Sequence, residues 1–133
     1  MASTVVVRWS VSVVGALLIL LNTFHLTFGF VRLRRALAAE PIPLRFAEAL
    51  QTGWVVLGVA SLLLGILLLS LLPELRAGSA SAWKYTVTIG AGLVVLGVAA
   101  FLATNKHPGL LFYSVLGLAL LVPLFLYRTH FHS

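Results

Sequence analysis

Two polar residues in the first apolar stretch of this 133-residue chain, Asn22 and His25, are three positions apart. At that spacing they lie on one face of a helix. Glu48 and Gln51 stand near the start of the second apolar stretch, and an antiparallel hairpin would bring all four side chains to nearly the same depth. Because ionisable groups at membrane depth are costly and usually face a cavity or a partner, these residues are candidates for a ligand-binding or proton-relay site.

A hydrogen-bonded pair of His25 and Glu48 could serve three kinds of chemistry. It could relay protons, offer a polar contact to a quinone-like molecule or a lipid head group, or supply a ligand to a metal or haem. The structural alternative, which we favour, is an interhelical hydrogen bond, with Glu48 solvated or paired with Arg45. A bis-histidine haem needs a second buried histidine, and the third and fourth apolar stretches contain none. We therefore expect no metal and no cofactor.

Further polar side chains come from the corresponding end of the third and fourth apolar stretches. They are Thr104, Asn105, His107, Tyr113 and Ser114. Up-and-down threading of four helices puts this end beside Asn22 and His25. We therefore predict that one end of the helical bundle is polar, and we add Tyr113 to the candidate ligand or proton-relay residues.

Catalysis has few residues to use. The chain has three glutamates, no aspartate and no cysteine. It contains no nucleophile–base motif, no Gly-rich phosphate loop and no paired acids. The C-terminal His130 and His132 have metal-ligand spacing, but neighbouring Arg128 disfavours a cation. We expect that the protein is not an enzyme.

The elements that carry these residues are four stretches without a charged residue. Apolar residues make up 61% of the chain and charged residues 9%, whereas a soluble domain has about 25% charged residues. Each stretch approaches or exceeds the roughly 20 residues that span a bilayer, and a lipid-exposed backbone must satisfy its hydrogen bonds internally. The stretches are Val11–Phe30, Ala49–Leu72, Tyr85–Asn105 and Leu110–Tyr127. The predicted fold is an all-α membrane protein, an antiparallel four-helix transmembrane bundle with short loops, forming one domain over residues 1–133 with helices at 8–30, 46–72, 83–105 and 109–127.

Basic residues lie in the predicted loops and at the predicted helix ends, and the net charge is +6. Arg32, Arg34 and Arg35 fall in the predicted first loop, residues 31–44, and Arg45 closes it. We expect these four to contact anionic lipid head groups rather than nucleic acid. The cluster beside the first helix favours a cytoplasmic position for the first and third loops, with both termini outside an inner or plasma membrane.

Small residues line one face of two predicted helices. Gly58, Ser61 and Gly65 share a face of the second helix, and Gly90 and Gly97 share a face of the third. Because lipid tails are as apolar as leucine, membrane helices associate through close packing at small residues. These faces indicate either ordinary packing within the bundle or docking onto a larger membrane partner.

One short sequence occurs twice, as Val55–Ala60 and again as Val94–Ala99. Membrane helices draw on few residue types, so convergence is the simpler interpretation. The alternative is duplication of a two-helix hairpin, which can build a pseudo-symmetric bundle.

Two functions remain open from the sequence. The leading hypothesis is a non-catalytic accessory or scaffold subunit that packs against other membrane proteins or against a second copy of itself. The alternative is a small carrier or ligand-binding bundle that uses the polar end around His25 and Glu48 for protons, a quinone-like molecule or a lipid. In both cases the lipid bilayer is an expected partner.

Overall fold

The protein is all-α, as the sequence predicts, with four long apolar helices that pack together and are long and apolar enough to cross a membrane. The computed structural model describes the backbone of residues 2–103 and 108–131 and the side chains of residues 5–103 and 109–131. The candidate spans are Val5–Ala39, Leu44–Arg76, Ala80–Ala103 and Gly109–Leu126.

Several spans combine more than one helical element. The first consists of α1 (Ala2–Phe24), a π-helix (His25–Gly29) and α2 (Phe30–Ala39). The second contains α3 (Leu44–Ser70) and α4 (Leu72–Arg76), and the third is α5 (Ala80–Ala103). The fourth begins with a 3₁₀ turn (Pro108–Leu111) and continues as α6 (Phe112–Leu126), followed by a second 3₁₀ turn (Arg128–His130).

The segment predicted as the first loop is mostly helix. The chain stays helical to Ala39, so the connection to α3 is only four residues long. Apolar residues at helical spacing explain the extension, because Leu33 and Leu37 are both half-buried. The helix ends where Glu40 turns to extended backbone, with φ −106° and ψ 144°. Pro41 follows it, and a residue that precedes proline disfavours the helical region.

The chain divides into two compact units, of which one is Gly15–Leu67. Within this unit α1 and α3 run antiparallel, since Gly65 lies against Gly15 and Gly58 lies against Leu26. A Cβ atom at Gly65 would be 2.8 Å from the carbonyl oxygen of Gly15, so the two backbones approach closely there.

The other unit combines Met1–Val14 with Leu68–Ser133. In it α5 and α6 pack antiparallel along their length. Gly97 lies against Ser114, and a Cβ atom at Gly90 would be 3.0 Å from Leu121 Cδ2 and 3.3 Å from the Gly117 carbonyl oxygen. Near the start of α5, the Trp83 indole Nε1 donates a hydrogen bond of 2.8 Å to the carbonyl of Leu124.

A tight turn joins α4 to α5 and fixes the end of the second span. Gly78 adopts φ +79°, the left-handed region that favours glycine. The amides of Gly78 and Ser79 donate to the carbonyls of Leu75 and Glu74 at 3.1 and 3.0 Å, which is the Schellman pattern. Ser79 Oγ then accepts from the Ala82 amide at 3.3 Å and caps α5.

Candidate functional site

His25 contacts Trp54 of α3. His25 Nε2 lies 3.0 Å from the Trp54 carbonyl oxygen, and Trp54 Nε1 donates to the His25 carbonyl at 2.9 Å. The two rings stack with centroids 4.0 Å apart and an interplanar angle of 7°. Because a carbonyl only accepts, Nε2 carries the hydrogen in this bond. Each residue thus binds the backbone of the other.

Two glycines leave room for this pair. A Cβ atom at Gly58 would lie 2.9 Å from His25 Cδ2 and 2.6 Å from Leu26 Cδ2. A Cβ atom at Gly29 would lie 3.2 Å from Trp54 Cζ2. The imidazole therefore reaches the α3 backbone because position 58 has no side chain.

Hydroxyl and amide side chains around the π-helix bond to the carbonyls of their own helix. Asn22 is buried, and its Nδ2 donates to the Leu18 carbonyl at 2.7 Å. Thr23 and Thr27 donate to the carbonyls of Ile19 and Thr23 at 2.7 and 2.8 Å. Such back-bonding bends helices, and here it occurs in the turns next to and within the π-helix. Asn22 and His25 share one helix face, but the bonds they form point in different directions.

Glu48 and Gln51 line an open cavity of about 510 Å³ on α3. Its other lining residues are Phe30, Thr52, Val55 and Val56. His25 does not line it, and the hydrogen bond that His25 forms to α3 goes to Trp54 rather than to Glu48. The sequence pairs His25 with Glu48, whereas in the structure His25 bonds to a backbone carbonyl of the neighbouring helix. This is the kind of interhelical hydrogen bond that the structural alternative predicts.

Tyr113 and Ser114 stand at the start of α6. Tyr113 is half-buried, and Ser114 Oγ donates to the Val94 carbonyl of α5 at 2.8 Å. Thr104, Asn105 and His107 lie outside the described residues. The single polar end drawn from all four helices therefore stays a prediction.

The predicted packing residues lie inside the units. Gly58 and Gly65 face α1 or the π-helix, and Gly90 and Gly97 face α6. Ser61 is buried with them. Neighbouring helices of the same chain therefore cover these glycines, so a partner protein could not contact them.

Each copy of the repeated sequence has a second glycine two residues before its first valine. Gly53–Ser61 and Gly92–Ala100 are identical at seven of nine positions. Gly58 and Gly97, at equivalent positions, both face a neighbouring helix. Gly53 and Gly92, also equivalent, have no atom of the described residues within 4 Å of an added Cβ, apart from their own helix. The repeat thus places one glycine inward and one outward in each unit.

The arginines expected at lipid head groups are exposed. Arg32 and Arg35 line an open groove of about 520 Å³ with Phe24, Phe28 and Val31. Arg34 is exposed on α2, and the Arg45 guanidinium lies 5.2 Å from the ring centroid of Phe46. Because α2 continues the first span to Ala39, Arg32, Arg34 and Arg35 stand on a helix rather than in a loop.

Trp54 is the contact that the sequence interpretation missed. The signal was present, since Trp9 and Trp83 flank the ends of apolar stretches while Trp54 lies inside one. A buried indole N–H needs an acceptor, and in a membrane helix the nearest acceptors are carbonyls of another helix.

Among the described residues, no group of three or more His, Cys, Asp or Glu side chains could hold a metal ion.

Comparisons with protein-family models, with curated proteins and with solved structures found no significant match to this chain.

Proposed function

We propose that this protein is a non-catalytic accessory subunit that packs against another membrane protein through the outer glycine face of α5. That face is formed by four exposed residues at helical spacing, Thr88, Gly92, Val95 and Ala99. The observation that carries the proposal is the outward glycine of the repeat, which recurs at Gly53 and Gly92 with open space around it.

A glycine on the outer face of a helix lowers helix stability but allows another helix to approach closely. Glycine in a helix costs about 0.5–1 kcal/mol relative to alanine, and an alanine would fit at Gly92 without a clash with any described residue. Between helices in lipid, however, a glycine lets two backbones approach and gain van der Waals and Cα–H···O contacts. A partner helix seated on Gly92 would lie between Thr88 and Ala99, two further small residues.

A matched pair of substitutions tests this proposal. Gly92→Leu and Ala91→Leu both put leucine on the exposed surface of α5, one residue apart. The tagged full chain is crosslinked in its native membrane and purified in mild detergent. We expect the wild type and Ala91→Leu to carry one defined membrane protein, or a second copy of the chain, in fixed stoichiometry. Gly92→Leu should lose it.

The control for folding is the thermal stability of each variant, which should stay within a few degrees of wild type. If Gly92→Leu retains the partner as well as Ala91→Leu does, or if the wild type is crosslinked to nothing, the accessory-subunit proposal is wrong.

A second candidate function is the binding of a small amphipathic molecule, and the cavity at Glu48 favours it. Glu48, Gln51 and Thr52 supply polar contacts, while Phe30, Val55 and Val56 supply an apolar wall. A quinone-like molecule or a lipid has a matching polar head and apolar body. Extraction of organic molecules from the purified chain should then yield a bound compound that Glu48→Gln reduces and Glu40→Gln does not. Equal yields from the two variants would exclude this site.

A further inference from the structure

Two arginines from different parts of the chain line one cavity in the unit that combines Met1–Val14 with Leu68–Ser133. The cavity measures about 450 Å³ and is bounded by α1 and the end of the second span. Arg8 and Arg76 supply its charge. The other lining residues are Val5, Trp9, Ser12 and Leu72.

No carboxylate of the described residues pairs with the charges in this cavity. Among the described residues, neither Arg8 nor Arg76 forms an ion pair or hydrogen bond through its side chain. Arg8 is half-buried and lies three residues inside the first candidate span. At this end of the span a long arginine side chain can reach the head-group region, where an anion can bind it. The only carboxylate side chain of this unit is Glu74.

We propose that Arg8 and Arg76 bind the phosphate of an anionic phospholipid from the surrounding bilayer. A guanidinium presents a planar set of donors that matches phosphate oxygens, and two guanidinium groups can hold both non-bridging oxygens. The Ser12 hydroxyl supplies a third donor. Val5 and Leu72 offer an apolar wall for the first carbons of the acyl chains.

Trp9 indicates the depth of this site. It lies four residues after Val5, where the first candidate span begins, and its side chain is exposed. Indole rings are enriched at the head-group level, where one end of the ring is apolar and the other wet. The cavity is therefore at the level where a phospholipid phosphate lies, which favours a lipid over a soluble phosphate compound.

The groove at Arg32 and Arg35 does not offer the same arrangement. All of its lining residues come from the continuous helix of the first span. Arg8 and Arg76, by contrast, approach a ligand from two separate helices. A site built by two elements selects a ligand by geometry, whereas arginines along one helix attract any anionic surface.

Native mass spectrometry of the full chain in mild detergent tests the proposal, with equimolar phosphatidylglycerol and phosphatidylcholine added. We expect phosphatidylglycerol to be retained preferentially. Each basic side chain near an anionic surface contributes roughly fivefold in affinity, so Arg8→Gln/Arg76→Gln should lose about 25-fold. The matched control Lys84→Gln/Arg128→Gln removes the same net charge from the same unit at residues that do not line the cavity, so it should lower retention much less than the cavity variant does.

Three outcomes would overturn the proposal. The first is an equal loss in both double variants, which would indicate nonspecific charge attraction. The second is equal retention of the two lipids by the wild type. The third concerns thermal stability: inorganic phosphate at about 10 mM, enough to fill a weak millimolar anion site, could raise it as much as phosphatidylglycerol does. That result would assign the cavity to free phosphate. If the double variant fails to fold, Arg76→Gln alone keeps the test valid because Arg76 is exposed. Its affinity for phosphatidylglycerol should fall about fivefold.

Discussion

His25 and Trp54 bind each other's backbone, with side-chain-to-carbonyl distances of 3.0 and 2.9 Å and stacked rings between them. The pair joins the first residue of the π-helix to the middle of α3. Three contacts therefore link His25, the only histidine that the described residues place inside a candidate span, to α3. Its role in the described structure is that of an interhelical connector.

The indole N–H of Trp54 can be removed while the ring stack is kept. Trp54→Phe should lower the free energy of unfolding by about 0.6–1.7 kcal/mol, the average and the maximum for interhelical hydrogen bonds in membranes. Unfolding of the full chain in mixed detergent micelles measures this change. Trp9→Phe is the control, because Trp9 is largely exposed. Equal effects of the two substitutions would show that the bond to the His25 carbonyl contributes nothing.

The imidazole can be tested against the carboxylate with which the sequence paired it. His25→Phe keeps a stacked ring and loses the bond to the Trp54 carbonyl, so it should destabilise the chain by about 0.6–1.7 kcal/mol. Glu48→Gln, at an exposed position, should change the free energy of unfolding by less than about 0.5 kcal/mol. The same unfolding assay applies. A loss with Glu48→Gln as large as that with His25→Phe would restore the predicted pair.

Sequence periodicity was enough to predict the spans but not the pairing between them. Once the first loop is assigned to residues 31–44, the hairpin places His25 opposite Glu48. The helix instead continues to Ala39, and the shorter connection shifts the register so that Trp54 faces His25. Arg32, Arg34 and Arg35, which the sequence places in a loop, lie on α2. Arginine is a good helix former, and the half-buried Leu33 and Leu37 between and after them keep the helical period.

The direction of each glycine was also beyond the sequence. Gly53 and Gly58 belong to one copy of the repeat, yet the first faces open space and the second faces the π-helix. A periodic pattern predicts which residues share a face, but in a helix that is apolar all round it does not predict which face meets another helix. Contacts with neighbouring helices decide this, and they depend on the register.

Trp83 should stabilise the end of α6. The Trp83 indole donates to the carbonyl of Leu124, one of the last-turn carbonyls that have no amide partner within the helix. Trp83→Phe keeps the edge-to-face contact with Phe125 and loses the hydrogen bond. We expect a loss of no more than the average of about 0.6 kcal/mol, because water can replace the donor near the interface. Faster amide hydrogen exchange confined to the last turn of α6 would show the effect directly, and unchanged exchange there would contradict it.

The inward and outward glycines of α5 should respond in opposite ways to the same added methyl group. A Cβ atom at Gly97 would overlap Ser114 Oγ and lie 2.6 Å from the Ser114 amide nitrogen. Because that nitrogen belongs to the backbone of α6, the helices have to separate, and Gly97→Ala should cost about 1–3 kcal/mol. Adding Ser114→Ala to Gly97→Ala removes the overlapping Oγ but should recover only part of this loss, since the contact with the Ser114 amide remains and the Oγ bond to the Val94 carbonyl is lost. Gly92→Ala meets open space and should leave stability unchanged or raise it by up to about 1 kcal/mol through helix propensity. Unfolding of the three variants in mixed micelles measures these differences, and a Gly92→Ala protein as unstable as Gly97→Ala would mean that α5 packs through the opposite face.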